Sequence, residues 1–389
     1  MMNIQQKGII TLIKNAIDNR KYPLPEGFSI EAAESIAIQH HIVGIIYEGA
    51  LLCGVDKNDP VMQRLFLKYY QMVVRNEMQM TALKQLFDVF DEHGIDHLPV
   101  KGSDMKLLYP NPAMRPMGDA DVLIRMEQYE RIKPIMEQLG YTSGHEIDHE
   151  IVWDSKALHL ELHKRLIPTE NKDYYAYMGD GWQFAKPVRG NRYTLPNEVM
   201  FVFLLLHFAK HYRGGGIGVR HAIDLWLYEQ KIPMDAVALK AELEKVNMVD
   251  FYENIHAMLE CWFEDRAWDA KAEFISAFLF SSGSWGTSKN KLLGQNLRSN
   301  KMNGNAGNSR IKLFFAALFP PLKTMQNRYA VLRKHAWLMP LFWPVRWFDA
   351  IFNRHENIRS YAKNIQTVSE ENIDSFEKSL QYVGLYYDV

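Results

Sequence analysis

The chain has 389 residues, of which 47% are hydrophobic and 23% are charged, so it has enough apolar material for two or three domains with buried cores and is not expected to be disordered. Its formal net charge of -1 gives no overall field that would attract nucleic acid or a membrane. The two cysteines, Cys53 and Cys261, form no CxxC pair, which argues against a disulfide scaffold or a thiolate zinc site and fits a reducing compartment.

Residues 1–94 are predicted to form an N-terminal helical region. They lack the apolar run and small-residue cleavage site of a signal peptide, and the chain has no apolar run of about 18 residues, so we expect a cytoplasmic protein without a spanning helix. Apolar residues recur at helical spacing over 5–20 and 29–52. Residues 60–93 are predicted to form one long helix that Gly94 terminates.

The pattern changes after Gly94, and residues 95–190 are predicted to form a core of the α/β or α+β class. In chain order the core has a strand (95–102), a short helix (103–109), a strand (119–125), a helix (127–141) and a strand (157–166). The last strand is the clearest, because Leu158, Leu160 and Leu162 alternate strictly with polar residues. This order predicts a small mixed sheet with helices packed against it.

The rest of the chain is predicted to be mainly helical. A helical domain is expected over 191–285, with strong helices at 197–213 and 218–230. Residues 283–309 are rich in Gly, Ser and Asn and are predicted to be a loop or linker. They open a final region, 286–389, in which basic and aromatic residues accompany helical patterns.

Two carboxylates, Asp119 and Asp121, lie two residues apart on the second predicted strand, so they project from the same face. Carboxylates that close repel each other and raise each other's pKa, a cost that a divalent cation removes. Mg²⁺ prefers a few carboxylates with phosphate oxygens and water, and two such ions can serve an in-line phosphoryl displacement. Glu161 is the best third ligand, because it shares one strand face with His159 and His163 while leucines fill the other.

A glycine turn before the short helix of the core predicts a phosphate site. Gly102 and Ser103 expose backbone N–H groups at a helix N-terminus, where the β- and γ-phosphates of a nucleotide would bind. Lys101 and Arg115 add positive charge, and His163 is predicted to contact the nucleotide as well. Simpler interpretations stay open: a solvated loop lysine, an arginine that ties the aspartate loop to the sheet, and a capped strand end.

Cationic and imidazole side chains are concentrated on two predicted helices after the core. His207 and His211 are four residues apart on one helical face, with Lys210 beside them. One interpretation places these three side chains and Arg220 over the nucleotide as a helical lid. The other is helix packing with satisfied polar groups, in which Arg220 pairs with Asp224 four residues further on.

Together these motifs resemble the DNA polymerase β-like nucleotidyltransferase superfamily. Its pattern is a strand, a Gly-Gly or Gly-Ser turn, a helix, Asp-x-Asp on the next strand and a third acid on a later strand. More narrowly, LPVKGSDMKLLYPNPAMRPMGDADVLI, HLELHKRL, HFAKH and LFPPLKTMQNRYAVL are similar to the family of uncharacterised nucleotidyltransferases, over residues 30–350. Lys101 stands where the wider superfamily has an apolar residue.

The resemblance implies a polymerase β-like core embedded in a largely helical chain. It implies an enzyme that moves a nucleoside monophosphate from an NTP to a hydroxyl or phosphate acceptor and releases pyrophosphate. Asp119, Asp121 and Glu161 would be catalytic and would ligate two Mg²⁺ ions, with Mn²⁺ as a substitute. The acceptor stays open between a small molecule, a protein and tRNA.

Residues 310–363 form a basic segment with ten Lys or Arg against two acids, a local charge of +8. Phe, Tyr and Trp residues are interleaved with these cations. Three interpretations stay open: docking of the C-terminal helices onto the core, peripheral contact with the inner face of an anionic membrane, and contact with RNA through phosphates and stacking.

Two other functions stay open. A catalytically degenerate nucleotidyltransferase fold would serve as a membrane-surface scaffold or binding protein. A metal-dependent phosphohydrolase would use His159, Glu161 and His163 as ligands of a transition metal from alternate strand positions.

Overall fold

The computed structural model describes residues 2–284, 286–303, 318–329, 331–353 and 369–386. The chain falls into two compact units. The first combines Met1–Lys210 with Ile217–Ser284, and the second combines His211–Gly216 with Trp285–Val389. The four regions predicted from the sequence divide the chain more finely, and their boundaries stay predictions.

The first unit begins with helices α1 (Ile4–Asp18), α2 (Ile30–Gln39), α3 (Val43–Leu52) and α4 (Pro60–Glu92). The long helix α4 was predicted over 60–93. It starts with Pro60 after Asp59, whose carboxylate accepts hydrogen bonds from the N–H groups of Val61 and Met62. It ends before Gly94, which adopts the left-handed conformation (φ 62°) that favours glycine.

The sheet of the first unit has the strand order β3-β4-β5-β2-β1-β7-β6. Its strands are β1 (His97–Val100), β2 (Ala120–Ile124), β3 (Thr142–Glu146), β4 (Glu150–Asp154), β5 (His159–His163), β6 (Lys186–Arg189) and β7 (Arg192–Thr194). Strand β2 pairs antiparallel with β1 and parallel with β5, and β5 pairs antiparallel with β4. The sheet is therefore mixed, as predicted.

Strands β3, β4, β6 and β7 were not predicted. Every residue of β3 and β6 is exposed, so neither strand has the alternation of apolar and polar residues that marks a half-buried strand. Strand β7 has only three residues. The predicted order of strand, helix, strand, helix and strand is present, but the sheet is wider than the sequence indicated.

One face of the sheet packs against α4 and α6 (Tyr129–Gln138). This core takes alternate residues of the central strands, namely Ala120, Val122 and Ile124 of β2, Leu160 and Leu162 of β5, and Ile151 and Trp153 of β4. Successive strand residues point to opposite faces, so the residues between them project away from this core. The central strands thus present polar side chains on the second face.

The first unit continues with α5 (Gly102–Met105), α7 (Lys172–Met178), α8 (Asn197–Arg213), α9 (Val219–Lys231), α10 (Ala236–Lys245), α11 (Val249–Phe263) and α12 (Ala270–Ser282). Helix α8 continues past Lys210 into the second unit. The helices predicted over 197–213 and 218–230 are confirmed as α8 and α9.

The second unit contains α13 (Ser288–Asn303), α14 (Leu322–Arg328), α15 (Val331–Lys334), α16 (Met339–Asn353) and α17 (Glu370–Tyr382). The loop predicted over 283–309 was wrong for 288–303, where α13 forms, and 304–309 lies outside the described residues. Helix α13 buries Leu292, Leu293 and Leu297, three apolar residues within a run dominated by Asn, Ser and Lys. Within the described ranges, no helix is both long and apolar enough to cross a membrane.

Candidate active site

The polar face of the sheet gathers acidic and imidazole side chains from three neighbouring strands. Asp121 of β2 lies directly opposite Glu161 of β5 in the parallel pairing. His163 lies opposite Glu150 of β4 in the antiparallel pairing. Because these residues alternate with members of the core, the two strand pairings bring their side chains together on one surface.

A compact donor cluster forms at the centre of this surface. The His163 Nε2 atom lies 2.8 Å from Asp121 Oδ1 and 3.6 Å from Glu161 Oε2. One ligand atom each from Asp121, Glu161 and His163 lies within 4.8 Å of the other two. Two carboxylates and an imidazole are a donor set that binds divalent cations such as Mn²⁺ or Mg²⁺.

Asp119 was predicted to share this cluster, but it is not one of the three clustered residues in the described part of the chain. The reason is local: β2 begins at Ala120, so the strand ladder does not fix the direction of the Asp119 side chain. Burial raises the pKa of Asp119, and the negative charges of Asp121 and Glu161 raise it further. The negative charges of Asp121 and Glu161 therefore act on Asp119, although its carboxylate is not part of the donor cluster.

The ammonium group of Lys101 contacts the donor cluster through Asp121. Its Nζ atom lies 2.8 Å from Asp121 Oδ1, and its side chain is 15% exposed. Burial alone would lower the pKa of Lys101, but the charges of Asp121, Asp119 and Glu161 outweigh burial and raise the pKa. The backbone of Lys101 has φ 51°, a conformation that is costly for a residue with a side chain.

The same contacts set the protonation of the cluster. Burial would raise the pKa of Asp121, but Lys101 and His163 outweigh it and hold the pKa well below its ordinary value. Burial would lower the pKa of His163, but the hydrogen bonds to Asp121 and Glu161 raise it to about 8. At neutral pH the cluster is therefore an ionised aspartate held between an ammonium and an imidazolium. A metal ion would displace the His163 proton as it bound.

Glu150 extends the acidic surface and was not identified from the sequence. Its side chain is 12% exposed and lies 3.1 Å from His149 Nε2. Burial would raise the pKa of Glu150, but the hydrogen bond from His149 and the charges of His163 and Lys101 outweigh burial and lower it. Glu150 precedes the unbroken apolar run Ile151–Trp153, so its strand shows no alternation of polar and apolar residues that would have indicated this face.

The glycine turn lies beside the acidic cluster. A Cβ atom added to Gly102 would lie 3.1 Å from Met117 Cγ and 3.3 Å from the backbone oxygen of Asp119. The turn therefore packs tightly against the residues just before β2. Ser103 is buried, and its hydroxyl has no hydrogen-bond partner among the described residues. Helix α5 has only four residues, so phosphate binding there would depend on turn N–H groups and neighbouring cations instead of a helix dipole.

Arg115 is engaged with Asp224 of α9 instead of facing the acidic cluster. Its Nε and Nη2 atoms each lie 2.8 Å from an oxygen of Asp224, and Tyr109 donates a hydrogen bond of 2.7 Å to the same carboxylate. The Arg115 Nη1 atom also reaches the Gly102 carbonyl oxygen at 3.4 Å. This position corrects the predicted pairing of Arg220 with Asp224 and favours the interpretation of Arg115 as a structural arginine that holds the turn.

Arg220 and Lys210 come from the helices after the sheet. Arg220 donates a hydrogen bond of 2.7 Å to the Pro116 carbonyl oxygen, so it holds the segment that leads to Asp119. Burial lowers the pKa of Lys210 to about 8, and the positive charge of Lys101 contributes to that shift, while Asp121 and Glu150 oppose it. The charges of Asp121 and Glu150 therefore act on Lys210, and its contact with a nucleotide stays a prediction.

The two histidines of the predicted lid both lie on α8. The His207 ring lies 6.1 Å from that of His221, centroid to centroid, and is half-buried on α8. His211 is half-buried and belongs to the second unit. Their contact with a nucleotide stays a prediction.

The mixed sheet with helices packed against it is consistent with the core of a nucleotidyltransferase. A family model described as uncharacterised nucleotidyltransferase matches residues 26–264, and the chain belongs to that family. Neither a curated protein nor a solved structure matches the chain significantly.

Proposed function

We propose that the protein transfers a nucleoside monophosphate from an NTP to a hydroxyl or phosphate acceptor and releases pyrophosphate. The observation that carries this proposal is the parallel pairing of β2 with β5, which sets Asp121 against Glu161 with His163 between their carboxylates. Membership of the nucleotidyltransferase family supports the reaction class.

The donor set fits a divalent cation. Asp121, Glu161 and His163 would hold Mg²⁺ or Mn²⁺, and the imidazole favours Mn²⁺ because imidazole nitrogen suits transition metals better than Mg²⁺. When bound, such a cation would polarise the phosphoryl group and neutralise its charge. Asp119, whose carboxylate is influenced by the charges of Asp121 and Glu161, is the candidate ligand for a second cation.

The remaining side chains suit a polyphosphate. The Ser103 hydroxyl is buried without a partner in the described chain and would donate a hydrogen bond to a phosphate oxygen. Lys101 and Lys210 would place positive charge beside the phosphates.

The proposal is tested by incubating the full chain with NTPs labelled at the α-phosphate, Mg²⁺ or Mn²⁺, and cell extract. The expected result is label in an acceptor fraction, lost in Asp121→Asn and kept in Asp154→Asn. Asp154 is a matched control, because it lies on the neighbouring strand β4 with a side chain that is 50% exposed. Label transfer by Asp121→Asn at the rate of the unmodified chain would contradict the proposal.

The Lys101 contact favours a second candidate, a catalytically degenerate fold that binds nucleotide without turnover. In that case the ammonium permanently takes the place of a cation on Asp121. A fluorescent ATP analogue would then bind in the presence of EDTA, and none of the labelled NTPs would yield pyrophosphate. Release of inorganic phosphate in place of pyrophosphate would indicate a phosphohydrolase instead.

A further inference from the structure

Helix α16 and the turn before it expose a continuous apolar surface in the second unit. We call Trp337, Leu341, Val345 and Phe348 the apolar face. These side chains are 75%, 65%, 50% and 64% exposed, respectively. The spacing of four and three residues places Leu341, Val345 and Phe348 on one side of the helix, and Trp337 lies in the turn just before it. Exposed apolar surfaces of this kind mark interaction sites more often than isolated apolar residues do.

The opposite side of α16 anchors the helix to its own unit. Trp343 and Trp347 donate indole hydrogen bonds to the carbonyl oxygens of Pro320 and Leu318, at 3.4 Å and 2.8 Å. Both indoles also pack edge-to-face against Phe319, with centroid distances of 5.0 Å and 5.4 Å. The tryptophans of this side are therefore used in packing within the unit, whereas the side chains of the apolar face are at least half exposed.

The charge beside the apolar face is positive. Arg333 and Lys334 are exposed immediately before Trp337. Residues 331–349 contain three Lys or Arg and one acid, Asp349. That acid forms an ion pair with Arg328. An exposed tryptophan and aliphatic residues beside the exposed cations Arg333 and Lys334 are the combination that an anionic lipid interface binds.

We infer that residues 331–348 dock onto a bilayer surface containing anionic lipid, with α16 lying in the plane of the interface. The helix has 15 residues and would be about 22 Å long, shorter than the hydrocarbon core of a bilayer, so an in-plane position is the one that buries its outer side. A second copy of the chain fits less well, because it would bring the same excess of cations and, within 331–349, no acid besides Asp349.

The test is co-sedimentation of the full chain with two kinds of vesicle: phosphatidylcholine alone, and phosphatidylcholine mixed with phosphatidylglycerol. We expect pelleting with the mixed vesicles that weakens at high salt, because salt screens the attraction of Arg333 and Lys334. The double variant Leu341→Glu/Phe348→Glu should bind at least about tenfold more weakly, since each substitution removes apolar area from the interface. Both positions are exposed, so thermal unfolding should be unchanged.

Two control variants keep the result specific. Val237→Glu changes a valine of α10 that is 81% exposed and should leave pelleting unchanged. Leu67→Glu changes a leucine of α4 that is 61% exposed and tests whether another apolar surface carries the binding. The inference is overturned if the unmodified chain does not pellet with mixed vesicles, or if the double variant pellets equally well. It is also overturned if Leu67→Glu alone abolishes pelleting, or if the double variant only converts a dimer to a monomer.

Discussion

Replacing Lys101 with methionine would remove the ammonium from Asp121 and keep a side chain of similar length. Methionine also keeps the cost of the positive φ angle, so the substitution isolates the charge. At 2.8 Å, two unit charges attract each other by about 6 kcal/mol if the effective dielectric constant is about 20. Desolvation of both groups offsets part of that attraction, and breaking a buried ion pair costs about 3–5 kcal/mol.

His163 would still contact Asp121 in this variant, so the loss should fall below that range. We expect Lys101→Met to lower the free energy of unfolding by about 2–3 kcal/mol when divalent cations are absent. A divalent cation would then compete for Asp121 Oδ1 with His163 alone and no longer with an ammonium. Its affinity should rise about tenfold or more, which corresponds to about 1.4 kcal/mol.

The assay is thermal unfolding of both chains over a series of Mn²⁺ concentrations, with calorimetric titration of Mn²⁺ as a second readout. Lys84→Met is the matched control, because Lys84 pairs with Asp88 on the surface and its side chain is 79% exposed. The control should behave like the unmodified chain. Equal Mn²⁺ stabilisation of Lys101→Met and the unmodified chain would refute the idea that ammonium and metal compete for Asp121.

Other substitutions test neighbouring parts of the site. Ser103→Ala should leave the free energy of unfolding unchanged or slightly higher, because the hydroxyl is buried without a partner in the described chain, and should weaken binding of a fluorescent ATP analogue. Arg115→Met should destabilise the chain by about 3–5 kcal/mol in urea unfolding, and adding Asp224→Asn should cost less than the sum of the single changes. Because the folded pKa of His163 is raised from 6.5 to about 8, its stabilisation is complete below pH 6.5 and is lost as the pH rises through 8. Urea titrations without metal should show that loss, about 2 kcal/mol, and His163→Gln should abolish it.

The acidic pair at the centre of the site could be predicted because strand geometry fixes it. Asp121 and Glu161 each alternate with apolar residues, so each had to lie on the polar face of its strand. The family resemblance supplied the expectation that the two strands are neighbours, and their pairing in register confirms it.

The remaining contacts depend on positions that sequence periodicity does not encode. Lys101 reaches Asp121 through a backbone conformation that no local pattern requires. Arg115 and Asp224 are 109 residues apart, and the partner that helical spacing suggested for Asp224 was Arg220, one helical turn away. Glu150 was missed because its own strand contains the unbroken apolar run Ile151–Trp153 and so shows no alternation of polar and apolar residues.

The bidentate contact between Arg115 and Asp224 limits how far the protein can be truncated for expression. An expressed fragment limited to 95–190 would keep Arg115 but lose its partner Asp224 on α9. The Arg115 guanidinium would then be a buried charge without its carboxylate, next to the Gly102 turn. Such a fragment should be insoluble or inactive for reasons unrelated to catalysis, so the shortest useful expression product must extend at least through α9.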